Sequence, residues 1–79
     1  MHYDLTDLRL FVAIAEERKL TRGAARAHLA PSSASHRLRR LEEALNTSLF
    51  ERQTRGVALT RAGEALLRNA RQVMASLEQ

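Results

Sequence analysis

Apolar residues recur at intervals of three and four along most of the chain, and the interruptions fall where a helix must stop. Leu5, Leu8, Val12 and Ala15, with Phe11 beside them, predict an amphipathic helix over about residues 6–17, with Asp7, Arg9 and Glu17 on its opposite side. Thr21 can cap the free amides of Arg22 to Ala24 and open a short second helix through Ala24, Ala25, Ala27 and His28. Small side chains let another helix cross it closely. Gly23 in the first turn costs up to about 1 kcal/mol relative to Ala unless close approach of another backbone offsets it. Leu29-Ala30 makes a turn, and Pro31 suits the first position of a third helix, where its missing N–H costs nothing and its φ is already helical.

This third helix runs to about Leu45, and Asn46 can adopt the left-handed conformation that ends it. Its apolar positions, Ala34, Leu38, Leu41 and Leu45, form one narrow stripe. Ser32, His36, Arg39, Arg40 and Glu43 lie on the other side, with Ser33, Ser35 and Arg37 on the flanks. Two extended runs, residues 49–52 and 57–59, follow, joined by the hairpin link Gln53-Thr54-Arg55-Gly56. Thr60 caps a last helix from Arg61 to the end, about 28 Å long at 1.5 Å per residue. Its apolar arc of about 140° is wider than a coiled-coil seam, so one edge can pack on its own domain while the other meets a second chain. Ala62, Leu66, Ala70, Val73, Met74 and Leu77 are the candidate dimerisation residues.

The order of elements is that of a winged helix-turn-helix. The fold class is mostly α, with three helices and a short two-stranded wing over residues 1–60, then a linker helix over 61–79. Composition sets limits on function. A chain of 79 residues builds one modest core, which leaves no room for a large enzyme pocket and makes a partner interface useful. Zero Cys removes disulfides, thiol catalysis and thiolate metal sites. Scattered His without clustered carboxylates make no metal site, and His2 and His28 read as structural. No apolar run spans a bilayer, and MHYDLTDLRL lacks the basic-then-apolar order of a signal peptide, so the chain reads as cytoplasmic with no membrane partner.

The charge is blocked along the sequence. Residues 21–41 hold Arg22, Arg26, Arg37, Arg39 and Arg40 and no acid, and 12 of the 13 cations in the chain are Arg. The planar guanidinium fork matches phosphate and the guanine edge, so this composition points to a polyanion. A solvated face, or weak pairs of Arg37, Arg39 and Arg40 with Glu42 and Glu43, explains part of the pattern. In the winged helix reading, Ser32, Ser33, Ser35, His36, Arg39 and Arg40 face the major groove. Thr21, Arg22 and Pro31, near helix starts, meet phosphates, and wing residues Arg52 and Arg55 reach backbone or minor groove. His36 can change charge near neutrality.

From LRLFVAIAEERKLTRGAARAHLAP through LRRLEEAL, LFER, VALT and AGEALL, the chain resembles the N-terminal domain of LysR-type transcriptional regulators. The resemblance implies sequence-specific binding to a partly palindromic double-stranded DNA site, with helix 31–45 in the major groove and wing 50–59 on the backbone or minor groove. It implies a homodimer through the last helix, a tetramer in the full-length protein, no cofactor, and an effector-sensing domain beyond the helical pattern that ends at Gln79. Such regulators usually begin the recognition helix with Ser-Gln-Pro-Ala, where this chain has Ala30-Pro31-Ser32-Ser33, so its base preference is expected to differ. Gly23 and Ala27 stand where Ala and Leu are usual, implying looser packing of helix two.

Two other classes remain to be weighed. A winged helix also serves as a protein–protein module, and the salt sensitivity of DNA binding separates the two. A hydrolase using Ser33 or Ser35 with His36 fails on geometry, because no acid orients the His and neighbouring helical residues diverge by about 100°. The chain is therefore read as no enzyme.

Overall fold

The computed structural model describes residues 3–78, so the reading of His2 lies outside the described residues. Helices α1 (Leu5–Glu17), α2 (Leu20–Arg26) and α3 (Pro31–Leu45) precede strands β1 (Phe50–Gln53) and β2 (Gly56–Leu59), and α4 (Arg61–Leu77) closes the chain. The strands form a two-stranded antiparallel sheet with Phe50 opposite Leu59 and Gln53 opposite Gly56. This is the expected winged helix-turn-helix order.

The central helix is α1. Its run Leu10-Phe11-Val12-Ala13-Ile14 is buried all round, because two sets of neighbours cover opposite faces. Phe11 and Val12 pack with Leu41, Leu49 and Ala70, while Leu10 and Ile14 pack with Ala24 and Ala34. A one-sided amphipathic reading therefore underestimates α1. On α3 the narrow stripe behaves as its spacing predicts: Ala34 and Leu41 are fully buried, and Leu38 and Leu45 are packed against the core.

Helix ends follow local chemistry. Asp4 caps α1 through a reciprocal box with Asp7, each backbone amide donating to the other side chain, at 3.0 and 3.1 Å. Thr60 Oγ1 accepts from the Gly63 amide at 3.0 Å and donates to the Ser48 carbonyl at 2.7 Å, so one hydroxyl caps α4 and ties it to the wing. Asn46 ends α3 at φ 53°, as its sequence position suggests. Thr21 does not cap α2. The helix begins one residue earlier, at Leu20, with Lys19 in the cap position and no side-chain cap bond. Leu20 is drawn into the core beside Ala24, which places Thr21 within the first turn and exposed.

The wing turn is also tighter than the expected four-residue link. Pairing extends to Gln53 and Gly56, leaving Thr54 and Arg55 as the turn. Gly56 takes φ +135°, and a Cβ there would strike the Arg18 carbonyl. That carbonyl accepts the Val57 amide at 3.0 Å, so the wing is docked on the turn between α1 and α2.

Helix two crosses α1 closely, as its small residues suggest, and at Gly23 it is not the looser packing that the departure from the usual family residues implied. A Cβ added at Gly23 would lie 2.5 Å from the Ile14 Cα, so the missing side chain sets how closely α2 crosses α1. Against α4, α1 makes a second kind of contact. Glu16 receives Arg71 of α4 at 2.9 Å and Arg26 of α2 at 2.8 Å, while Arg26 also reaches Glu17 at 3.2 Å. Arg26 first, then Arg71, holds the Glu16 carboxyl below its ordinary pKa.

Two expectations follow. Gly23→Ala gains up to about 1 kcal/mol of helix propensity but meets the Ile14 backbone and forces the helices apart, a displacement costing about 1–3 kcal/mol, so thermal unfolding shows a net loss. For Glu16 the folded-state pKa is lowered, so its stabilisation is present above the ordinary value of 4.5 and is lost as pH falls through the folded value. Exposed pairs contribute at most about 1 kcal/mol. In Glu16→Gln, denaturation measured from pH 7 to 3 therefore shows lower stability at pH 7 and a shallower acid decline than in the unmodified chain.

Candidate nucleic-acid interface

Because Ala34, Leu38, Leu41 and Leu45 anchor one side of α3, the other side faces solvent. Pro31, Ser32, Ser33, His36, Arg39 and Arg40 are exposed, and Ser35 is half-buried. A shallow hollow is lined by Ser32, Ser33, His36, Arg37 and Arg40. Toward the wing, Ser35 and Arg39 share a second cleft with Arg52 of β1. Lys19 and Thr21 share a third with Arg52 and Arg55. The fold thus gathers Ser35, Arg39, the α2 start and both wing arginines around two clefts that share Arg52, while Ser32, Ser33, His36 and Arg40 line a separate hollow on α3 and exposed Arg22 lines none of the three.

The acid that organises this side was misread from sequence. Asp7, expected on the solvent side of α1, is buried with no exposed side-chain surface. Its Oδ1 accepts from Arg37 Nη1 at 3.0 Å, and its Oδ2 lies 3.6 Å from Arg40 Nη2. Asp4 adds a contact 3.7 Å from Arg37. The Asp7 amide holds the Asp4 carboxyl below its ordinary pKa, opposed by desolvation and assisted by Arg37. A capping-box pattern, Asp4-x-x-Asp7, was the available signal for these acids. Pairing of Arg37, Arg39 or Arg40 with Glu42 or Glu43 is not found among the described residues. Glu42 instead accepts the Leu49 amide at 2.8 Å and fixes α3 to the start of the wing.

The candidate dimer residues divide. Ala70 is buried in the chain's own core, so it is removed from the outward set, and Leu66 and Met74 are half-buried against the same core. Ala62 is half-buried. Val73 and Leu77 are large apolar side chains 45% and 56% exposed.

A three-helix core, a docked two-stranded wing and a serine- and arginine-bearing helix face define a winged helix-turn-helix domain of the kind that meets duplex nucleic acid. Residues 5–64 match the family model described as bacterial regulatory helix-turn-helix protein, lysR family. The chain belongs to this family. It is 46% identical over 72 residues to the HTH-type transcriptional regulator BudR of Klebsiella aerogenes, covering 91% of this chain and 50% of that protein. It is 43% identical over 76 residues to the HTH-type transcriptional activator IlvY of Salmonella typhimurium, covering 96% of this chain and 26% of IlvY. The chain thus spans half or less of the length of these relatives. Among solved structures, the BenM DBD in complex with catB site 1 DNA superposes with a TM-score of 0.92 at 32% identity, covering 98% of this chain and 86% of that one. The CbnR DBD–DNA complex superposes with a TM-score of 0.89 at 32% identity, covering 96% and 87%. Among the described residues, no helix is long and apolar enough to cross a membrane.

Proposed function

We infer that this chain is the sequence-reading part of a bacterial transcriptional regulator that binds double-stranded DNA as a homodimer. The observation that carries the reading is the exposed side of α3, with Ser32, Ser33, His36, Arg39 and Arg40, flanked by a wing whose Arg52 shares a cleft with Arg39. The BenM and CbnR neighbours, which are DNA complexes with this fold, support it.

In this reading α3 enters the major groove, and Ser32, Ser35, His36 and Arg40 meet base edges. Thr21, Arg22 and Arg39 meet phosphates, with Pro31 setting the close approach of the helix start, and Arg52 and Arg55 lie on backbone or minor groove. Function is equilibrium binding in the cytoplasm, with no catalysis. The segment 61–79 acts as a linker helix: its inner residues hold it to the DNA-reading part, and Val73, Leu77, Met74, Leu66 and Ala62 pair with a second copy. Two-fold pairing sets two recognition helices on grooves about one or two helical turns apart, and higher assembly to a tetramer belongs to the full-length regulator.

Anisotropy titration against a randomised duplex pool at two salt concentrations, followed by sequencing of bound DNA, tests this. An inverted repeat recovered with steep salt dependence is the expected result, and absence of binding at low salt overturns it in favour of a protein-interaction module. Arg39→Ala is expected to reduce the slope of log affinity against log salt by about one, the loss of one phosphate contact. Combining Val73→Asp with Leu77→Asp is expected to convert a dimer to a monomer in sedimentation at micromolar concentration with helix content retained.

A further inference from the structure

Asp7 presents a problem of physical chemistry that its burial makes acute. A carboxylate with no exposed side-chain surface has no water to solvate it, so it must be held by cations and donors. The Asp4 amide supplies one donor at 3.1 Å and Arg37 Nη1 another at 3.0 Å. The remaining partner is Arg40, at 3.6 Å, beyond a hydrogen bond and within an ion pair. The two arginines are thus held unequally. Arg37, with 30% of its side chain exposed, is committed to the carboxylate, whereas Arg40, 43% exposed, is drawn toward it while its fork stays open beside Ser32, Ser33 and His36.

We propose that Asp7 is a positioning residue for DNA recognition: from beneath α3 it fixes the guanidinium of Arg40 in the orientation that reads DNA, with Arg37 as the lock that keeps the carboxylate from capturing Arg40 outright. The inference rests on the DNA-binding reading. A free arginine loses rotamer freedom when it docks, and one already held by a buried anion loses less. The sign of the effect separates this role from simple electrostatics. Asp7 is a negative charge close to where phosphates would lie, so on Coulombic grounds its removal tightens binding to any duplex. As a positioning residue, its removal weakens discrimination between duplexes.

The test uses the 79-residue chain, the duplex it enriches from a randomised pool, and a scrambled duplex of the same composition. Asp7→Asn, Arg40→Ala and the double variant are titrated against both duplexes well below their unfolding temperatures. Asp7→Asn is expected to bind the scrambled duplex more tightly and to lose about tenfold in the enriched-to-scrambled affinity ratio, a loss that vanishes when Arg40 is already Ala. A folded Asp7→Asn with an unchanged ratio, or an equal loss in the Arg40→Ala background, overturns the proposal, because a merely structural Asp7 would not act through Arg40. If Asp7→Asn does not fold, Arg37→Met replaces it in the same cycle and is expected to show the same dependence on Arg40. A starting chain that enriches nothing and binds neither duplex at low salt overturns the DNA-binding reading and this proposal together.

Discussion

One buried carboxylate, Asp7, ties the start of the chain to the helix that carries its functional face. A carboxylate without water is costly wherever it sits, and breaking its pairing by removing one partner leaves a penalty of about 3–5 kcal/mol. That cost is avoided only when α3 lies across α1 with Arg37 and Arg40, near its middle, at the carboxylate and Asp4 closes the capping box from the other side. Apolar packing alone, through Ala34, Leu38 and Leu41, would hold α3 against α1 but tolerates some sliding. The ion cluster narrows the register, because a carboxylate and a guanidinium fork must meet within a few ångströms.

Close backbone approach does a similar job elsewhere. Gly23 lets α2 cross α1 at a distance no side chain permits, and Gly56 lets the wing sit on the Arg18 carbonyl. Both contacts converge on the end of α1 and its cap, from Ile14 to Arg18. The wing and α2 are thus located by the same short stretch of backbone. The hollow shared by Lys19, Thr21, Arg52 and Arg55 is a consequence of that shared anchor.

Most of this architecture is legible in the sequence where the determinant is local. Pro31 opens α3, Asn46 ends it and Thr60 caps α4, because each acts through its own backbone or that of residues three or four away. The exposed side of α3 is legible for the same reason, as the complement of a clean stripe. Asp7 is not, because its decisive partner, Arg37, is 30 residues distant and a helical projection sees only a charge on a polar side. Thr21 fails as a cap because Leu20, an apolar residue with a place in the core, extends the helix past it. Ala70 looks like part of an outward stripe because a helix of wide apolar arc gives no hint of which edge its own domain will claim.

The internal ion pairs also sort the arginines, which formal charge cannot do. Among the described residues, Arg26, Arg37, Arg40 and Arg71 are engaged with Glu16, Glu17, Asp4 and Asp7, and no ion pair takes up Arg22, Arg39, Arg52 or Arg55. The net +4 of the chain is therefore not spread evenly, since Arg26, Arg37 and Arg71 cancel against buried or bridging acids while Arg22, Arg39, Arg52 and Arg55 are exposed. Each phosphate neutralised adds about 0.9 to the dependence of log affinity on log salt. In the proposed dimer, four such arginines become eight on one duplex, and the exponent doubles with them. Steep binding then depends on α4, whose inner residues belong to the core and whose outer ones, Val73 and Leu77, stand free. The weak apolar edge of the last helix and the charged face of the third are coupled through the number of phosphates that can be met at once.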